Sequence, residues 1–167
     1  MIVNIRQFKN SDINDVIIIT LLAFEPIFIS FEKILGPHIF PIIYPDWRKS
    51  QTEGVEYISQ NSKISLWVAE VDKTVVGYIA YQVHDEKTGE VQLIAVHPEY
   101  QNHGIGTQLN TFVLQKMKEA GMKLAIVSTG GDESHAPARR SYEKAGYTAL
   151  PVVKYYRDLL PGGEYQA

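Results

Sequence analysis

A run of six residues, 101–106 (QNHGIG), places two glycines among polar side chains directly before a predicted helix. Glycine lacks a side chain and adopts positive φ easily, so the backbone there can approach a ligand closely. The first amides of a helix have no partner within the helix and lie at the positive end of its dipole. The run therefore predicts an anion site suited to phosphate or pyrophosphate. A tight turn beneath a closely packed helix would show the same glycines.

Two common nucleotide-binding loops do not fit this run. A P-loop ends in Gly-Lys-Ser/Thr, whereas Gly106 is followed directly by Thr107 without a lysine. A dinucleotide fingerprint requires a third glycine, and residues 107–109 (TQL) do not supply one. The predicted anion therefore belongs to another class of ligand.

The elements that flank the run predict an α/β fold. Residues 91–96 are almost entirely apolar, which is typical of a strand buried on both faces. Residues 104–120 carry an apolar stripe at helical spacing. Residues 124–127 predict another buried strand, and residues 136–145 a short helix with proline in its permitted first turn. This alternation of strands and helices indicates crossover units.

The N-terminal half predicts two helices and an antiparallel region. Residues 11–24 form a predicted helix that we expect to end near Pro26. Residues 27–45 are rich in phenylalanine and broken by prolines, which predicts a packed loop or a mobile wall of a ligand site. Residues 46–60 predict a weaker helix. The remaining strands are expected at residues 2–8, 66–71, 75–83 and 152–159.

Length and composition predict one globular domain. The chain has 167 residues, of which 45% are hydrophobic and 21% are charged. We expect residues 1–160 to form this domain and residues 161–167 to be a flexible tail. The formal net charge is -3 and no basic block is present, which disfavours binding to nucleic acid or to an anionic membrane. The most apolar run, residues 16–24, is shorter than the roughly 20 residues that span a bilayer.

Cysteine and histidine usage narrows the chemistry further. The absence of cysteine excludes a disulfide framework and a thiol nucleophile. The five histidines include no pair at spacing i, i+4, so no metal site is expected. Together with an N-terminus that lacks a charged apolar leader, this composition predicts a cytoplasmic protein.

Two motifs resemble those of one enzyme superfamily. Residues 93–106 (LIAVHPEYQNHGIG) resemble the central motif of the GNAT superfamily of N-acetyltransferases, in which an apolar strand and a Val-x-Pro turn precede (Arg/Gln)-x-x-Gly-x-(Gly/Ala). Residues 138–147 (ARRSYEKAGY) resemble its following motif, Ala-x-x-x-Tyr-x-x-x-Gly-(Phe/Tyr). Both stand in the family's order, and the element order agrees along the whole chain.

The resemblance implies a single-domain GNAT-like α/β fold, with a central splayed mixed sheet of about six or seven strands and about four flanking helices. It implies that acetyl-CoA lies in the splay, with its pyrophosphate on the amides of residues 101–107 and its pantetheine arm paired with residues 94–96 like an added strand. The implied cofactor-binding residues are Ile94, Ala95, Val96, Gln101, Asn102, His103, Gly104, Ile105, Gly106, Thr107, His135, Arg139 and Tyr142.

Some of these residues have a second interpretation. His135 stands where many relatives have an asparagine that contacts the cofactor, or it caps the following helix together with Ser134. Arg139 and Arg140 approach the phosphates of CoA, or they are solvated charges on a helix.

Acylation of an amine requires two proton transfers. A protonated amine with a pKa of about 10 must lose a proton before it can attack, and the departing thiolate must gain one. Tyr142 stands where the family often has its general acid, although a tyrosine packed between helix and sheet would look the same. Glu90 stands where several family members carry a catalytic glutamate, or it is a solvated charge beside a hairpin turn. Gln92, two residues further on, could orient a water.

The sequence therefore predicts an N-acetyltransferase that moves an acetyl group from acetyl-CoA to a primary amine of a small molecule or peptide. Residues 27–45 with Tyr155 and Tyr156 suggest a partly apolar acceptor, or they form part of the core. A non-catalytic CoA-binding module and an unrelated phosphate-binding α/β domain are the alternatives. A homodimer is left open.

Overall fold

Five strands form one sheet, in chain order, in the computed structural model, which describes residues 1–85 and 87–159. Neighbouring strands are antiparallel except for the last two, which are parallel. This mixed sheet confirms the predicted fold class. The strands are β1 (Asn4–Gln7), β2 (Ile64–Val71), β3 (Thr74–Val83), β4 (Thr88–Val96) and β5 (Leu124–Val127).

The splay lies between β4 and β5. These strands pair only over residues 88–91 and 124–127, so the remaining part of β4 is free on this side among the described residues. On its other side β4 pairs with β3, where the register shifts between Ala80 and Tyr81, which face Leu93 and Val91. The shift makes Gln92 the extra residue of a β-bulge, and a bulge re-aims the side chains next to it.

Four helices cover the two faces of the sheet. One core cluster packs beneath α3 and includes Val76, Ile79 and Leu109, all 0% exposed. The opposite cluster packs beneath α1 and α2 and includes Val16 and Val55. The helices are α1 (Ile13–Ile43), α2 (Trp47–Gln60), α3 (Ile105–Glu119) and α4 (Ala136–Lys144).

The prediction that the first helix ends near Pro26 is wrong, because α1 continues through three prolines to Ile43. An interior proline removes one helical hydrogen bond and strains the turn before it. Aromatic packing along residues 27–45 outweighs that cost: Phe28 is 5% exposed and its ring stacks on Trp47 with centroids 4.4 Å apart. The helical geometry is interrupted only at Gly36, with φ 73° and ψ 176°.

The length of α1 also bears on the expectation that the most apolar run of the chain is too short to span a bilayer. Residues 10–43 are long and apolar enough, by length and composition alone, to cross a membrane. In the fold, the helix instead packs one face into the core, where Val16, Ile19 and Phe28 are buried.

The predicted strand at residues 152–159 does not form. This segment has no regular structure, and its side chains are mostly exposed, with Val152 78% and Tyr155 89% exposed. The described part of the chain therefore has five strands rather than six or seven. Apolar residues of high β-propensity indicate a strand, but a strand also requires an edge to pair with. The predicted tail, residues 161–167, lies outside the described residues.

Candidate functional site

A cavity of about 430 Å³ opens at the splay of the sheet. Its walls are the free part of β4, the start of α3, the first turns of α4 and one face of α1. A wider, open depression of about 640 Å³ lies along α3 and is lined by few of the predicted residues, so the splay is the stronger candidate. The predicted residues that line the splay cavity are Ile94, Ala95, Val96, Gln101, Asn102, Gly104, Ile105, Gly106, Thr107, His135 and Tyr142.

The start of α3 has the geometry that the glycine run predicted. Gly104 has φ +78°, a left-handed conformation that glycine adopts without strain. The first hydrogen bond of the following helix joins the amide of Gln108 to the carbonyl of Gly104 at 3.0 Å. The amides of residues 105–107 therefore have no partner within the helix and lie at its positive end. Such amides can hold a phosphate at the cavity wall.

Two side chains of this loop stabilise the loop itself. The amide of Gln101 donates to the carbonyl of Val96 at 3.0 Å, which ties the loop to the end of β4. The Nδ1 atom of His103 lies 2.8 Å from the carbonyl of Gln101, and His103 does not line the cavity.

The two arginines of α4 face different surroundings, because consecutive residues of a helix point in different directions. Arg140 lines the cavity, as do Ser141 and Tyr142. The guanidinium of Arg139 instead donates to the carbonyls of Gly130 and Asp132, both at 2.7 Å, and holds the loop before α4. Sequence reasoning left open whether Arg139 and Arg140 approach the phosphates or are solvated charges, and named only Arg139 among the cofactor-binding residues, because the motif gives spacing without the orientation of the helix.

Tyr142 lies on the cavity wall and is 8% exposed. Burial, with a smaller contribution from the nearby Tyr147, raises the pKa of its phenol to about 12. The phenol therefore keeps its proton at neutral pH. Its ring packs edge to face on that of Tyr147, with centroids 5.9 Å apart. This arrangement fits a proton donor and also contributes to packing.

Glu90 does not line the cavity. Its neighbour Val91 packs beneath α3, so strand alternation places Glu90 on the opposite face, which α1 covers. The carboxylate accepts a hydrogen bond from the amide of Gln92 at 3.2 Å and lies 3.5 Å from Nε2 of His84. The side chain is 38% exposed, so water has access to it.

A partly buried polar cluster lies on the loop before α4, and sequence reasoning missed it. The carboxylate of Asp132 accepts hydrogen bonds from the hydroxyl of Ser30, at 2.7 Å, from Ser134 and from Nδ1 of His135. Burial raises the pKa of Asp132, but these hydrogen bonds outweigh it and hold that pKa well below its usual range. The spacing Asp132-x-x-His135 was the only signal in the sequence.

The site contains no group of three or more His, Asp or Glu side chains that could hold a metal, as far as residues 1–85 and 87–159 are concerned. Its chemistry is instead that of helix amides, a free strand edge, a buried phenol and a histidine paired with a carboxylate.

The sequence matches a known family over most of these elements. The model of the acetyltransferase (GNAT) family matches residues 37–147, which is more than half of the chain. The chain therefore belongs to the GNAT acetyltransferase family, and the resemblance of its two motifs is confirmed.

Curated relatives match a part of their own length. A mycothiol acetyltransferase of Thermomonospora curvata is 32% identical over 96 residues, which cover 58% of this chain and 32% of that protein. An N-alpha-acetyltransferase of Sulfurisphaera tokodaii is 32% identical over 113 residues, which cover 61% of this chain and 66% of that protein. The chain thus spans about a third of the length of the mycothiol acetyltransferase that it matches.

Solved structures share the fold. The PaiA N-acetyltransferase from Thermoplasma acidophilum, solved in complex with coenzyme A, superposes with a TM-score of 0.69 at 17% identity, covering 92% of this chain and 94% of that one. A ribosomal-protein-alanine N-acetyltransferase from Brucella melitensis superposes with a TM-score of 0.58 at 18% identity, covering 94% and 99%. At these identities the similarity establishes the fold alone.

Proposed function

We propose that this protein transfers the acetyl group of acetyl-CoA to a primary amine of a small molecule or peptide. The observation that carries the proposal is that three features meet in one cavity: the free edge of β4, the unpaired amides at the start of α3, and the buried phenol of Tyr142.

The residues present fit acetyl-CoA. The free edge of residues 92–96 offers backbone groups that an amide-containing arm can pair with, as an added strand does. The amides of residues 105–107 face the same cavity and suit the pyrophosphate. Arg140 and Lys144 also line it and add positive charge near an anionic ligand.

Two residues of the chain carry out the proton transfers that the reaction requires. Acetyl-CoA, when bound, supplies the thioester carbonyl carbon to which the amine nitrogen bonds while the carbon–sulfur bond breaks. Tyr142 donates its proton to the departing sulfur, since its pKa of about 12 keeps the phenol protonated beforehand. Glu90 stays the predicted base and accepts a proton of the acceptor's ammonium through water, because its carboxylate lies outside the cavity wall.

The acceptor enters along α1. Leu22, Phe24, Pro26 and Ile27 of this helix line the cavity, so this wall is largely apolar. An acceptor with an apolar part beside its amine would bury that part here and gain about 25 cal/mol for each Å² removed from water. We therefore propose a partly apolar amine or the N-terminus of a peptide as the substrate class.

The experiment combines binding with turnover. Acetyl-CoA should raise the melting temperature, because a ligand that binds only the folded state stabilises it. A panel of amines and short peptides, differing in apolar content, is then assayed for release of free CoA thiol. A thermal shift without thiol release for any acceptor would favour a non-catalytic CoA-binding module. No shift at millimolar acetyl-CoA would contradict acetyl transfer and the binding module alike.

A further inference from the structure

The Asp132–His135 pair lies at the cavity and has no part in the mechanism above. The side chains of Asp132 and His135 are 12% and 13% exposed. A Cβ atom on Gly130 would lie 2.4 Å from Nδ1 of His135 and 2.6 Å from Oδ1 of Asp132, so glycine is needed to leave the pair this close to the backbone. The ring of Phe31 stacks on the imidazole, with centroids 5.5 Å apart. The pair is therefore held from several sides.

The carboxylate determines which ring nitrogen carries the proton. Asp132 keeps a pKa well below its usual range, because hydrogen bonds from Ser134, Ser30 and His135 outweigh its burial. It is therefore ionised at neutral pH and can only accept hydrogen bonds. Nδ1 of His135 must then be the protonated nitrogen, and in the neutral ring Nε2 has a free lone pair. Within the described chain no hydrogen bond involves this Nε2 atom.

We propose that Nε2 of His135 is a second proton acceptor for the amine besides Glu90, and that Asp132 is the residue that positions it. This inference rests on the proposed acetyl transfer. His135 lines the cavity, whereas Glu90 does not, so His135 can meet the acceptor at the wall.

The proton transfer balances without any further reactant. The lone pair of Nε2 takes one proton from the acceptor's ammonium, which leaves a neutral amine and an imidazolium paired with Asp132. The amine nitrogen then bonds to the thioester carbon and loses a second proton, the carbon–sulfur bond breaks, and Tyr142 supplies a proton to the sulfur. The second proton from the nitrogen passes through solvent to the Tyr142 phenolate and restores the phenol. The imidazolium returns its proton to solvent. A partly buried carboxylate stabilises such an imidazolium through a charge-assisted hydrogen bond.

The elements packed against the pair contribute these groups. From α4, Arg139 binds the carbonyls of Gly130 and Asp132, and Arg140 lines the same cavity. From α1, Ser30 and Phe31 contact the pair and carry no charge. Glu133, which lies between the pair in sequence, is exposed.

The test compares rate profiles against pH. In the unsubstituted protein we expect an acid limb in the rate profile, because an imidazole that already carries both protons cannot accept another. His135→Gln should lower kcat by about 100-fold and flatten this limb, while the thermal shift with acetyl-CoA persists. Asp132→Asn should lower kcat with His135 still present. His38→Gln, at an exposed histidine, is the matched control.

A measurement that needs no turnover separates this inference from the proposed function. The nitrogen NMR shifts of the His135 ring in the full chain should show the Nδ1-protonated form. Asp132→Asn should change the ratio of the Nδ1-protonated to the Nε2-protonated form. A ring protonated at Nε2 would overturn the inference even if acetyl transfer is demonstrated. An unchanged pH profile in a folded His135→Gln variant would overturn it too. A profile that moves only with Glu90→Gln would leave Glu90 as the sole base.

Discussion

The side-chain amide of Asn110 donates to the hydroxyl of Ser141 across 3.2 Å and joins α3 to α4 beside the cavity. The same amide donates to the carbonyl of Gly106 at 3.0 Å, and Asn110 is fully buried. One side chain therefore fixes Gly106, in the glycine run before α3, relative to the helix that carries Tyr142. The proposed proton donor Tyr142 must hold a defined position relative to the loop that is proposed to bind the cofactor, and this contact links the two.

Tyr142→Phe should lower turnover by about 100-fold, the usual contribution of a positioned acid, because the ring stays while the transferable proton is lost. The thermal shift with acetyl-CoA should be unchanged. Tyr147→Phe is the matched control: its hydroxyl is buried without a hydrogen-bond partner in the described structure, so its removal should leave turnover and stability intact. Equal turnover of Tyr142→Phe and the unsubstituted protein would make Tyr142 a packing residue.

Glu90→Gln should reduce kcat and leave the KM for acetyl-CoA unchanged, because Glu90 lies outside the cavity wall. Glutamine keeps the size of the side chain but cannot accept a proton at neutral pH. Steady-state kinetics with an accepted amine measure both constants. Glu119→Gln, at an exposed end of α3, serves as the control. If only KM changes, Glu90 acts in binding and the prediction is wrong.

Gly106→Val should weaken acetyl-CoA binding and reduce the thermal shift. A Cβ atom at Gly106 would already lie 3.3 Å from the hydroxyl of Ser141, and the branched side chain would extend into the phosphate approach. Isothermal titration with acetyl-CoA measures the loss. Gly54→Ala is the control, because nothing lies within 4 Å of its added Cβ. Affinity that survives in Gly106→Val would place the pyrophosphate elsewhere.

Asp12→Asn should destabilise the fold in a pH-dependent way. Two guanidinium nitrogens of Arg6 donate to the carboxylate of Asp12 at 2.8 and 3.1 Å, and Asp12 is 6% exposed. The hydrogen bond from Arg6 is the main cause that lowers the pKa of Asp12. A lowered pKa gives stability that is present above the unfolded-state pKa, near 4, and is lost as the pH falls through the folded-state pKa.

Denaturant unfolding at several pH values measures this effect. At pH 7 the free energy of unfolding of Asp12→Asn should be lower by about 1–3 kcal/mol, and the difference should shrink as the pH falls below about 4. Glu56→Gln, at an exposed position of α2, should show neither effect. A difference that is constant from pH 7 to pH 3 would mean that the charge of Asp12 does not matter.

Local features of the site could be predicted from the sequence. The glycine run before α3 and the short helix with Tyr142 depend on backbone geometry within a few residues, and glycine, proline and apolar spacing report that directly. The resemblance of these motifs to those of the family then predicted the ligand and the fold. The strand that carries Glu90 was predicted for the same reason.

Features that join distant residues could not be predicted. Ser30 and Asp132 are 102 positions apart, and only the packing of α1 on the loop before α4 brings their side chains together. The continuation of α1 past Pro26 likewise depends on Phe28 stacking against Trp47 of another helix. The energy of such packing depends on which residues of the rest of the chain lie nearby. The helix propensity of the proline itself does not include this energy.

The sequence alone was enough to identify the family and to predict the anion loop and Tyr142 as the proton donor, because each is a local pattern of residue types. The tertiary structure alone decided which arginine of α4 lines the cavity, that Glu90 lies outside its wall, and that His135 is held by the partly buried carboxylate of Asp132. These facts depend on which way a helix is rotated, which face of the sheet a strand residue is on, and which distant residues form hydrogen bonds. All three are determined only when the helices pack on the sheet.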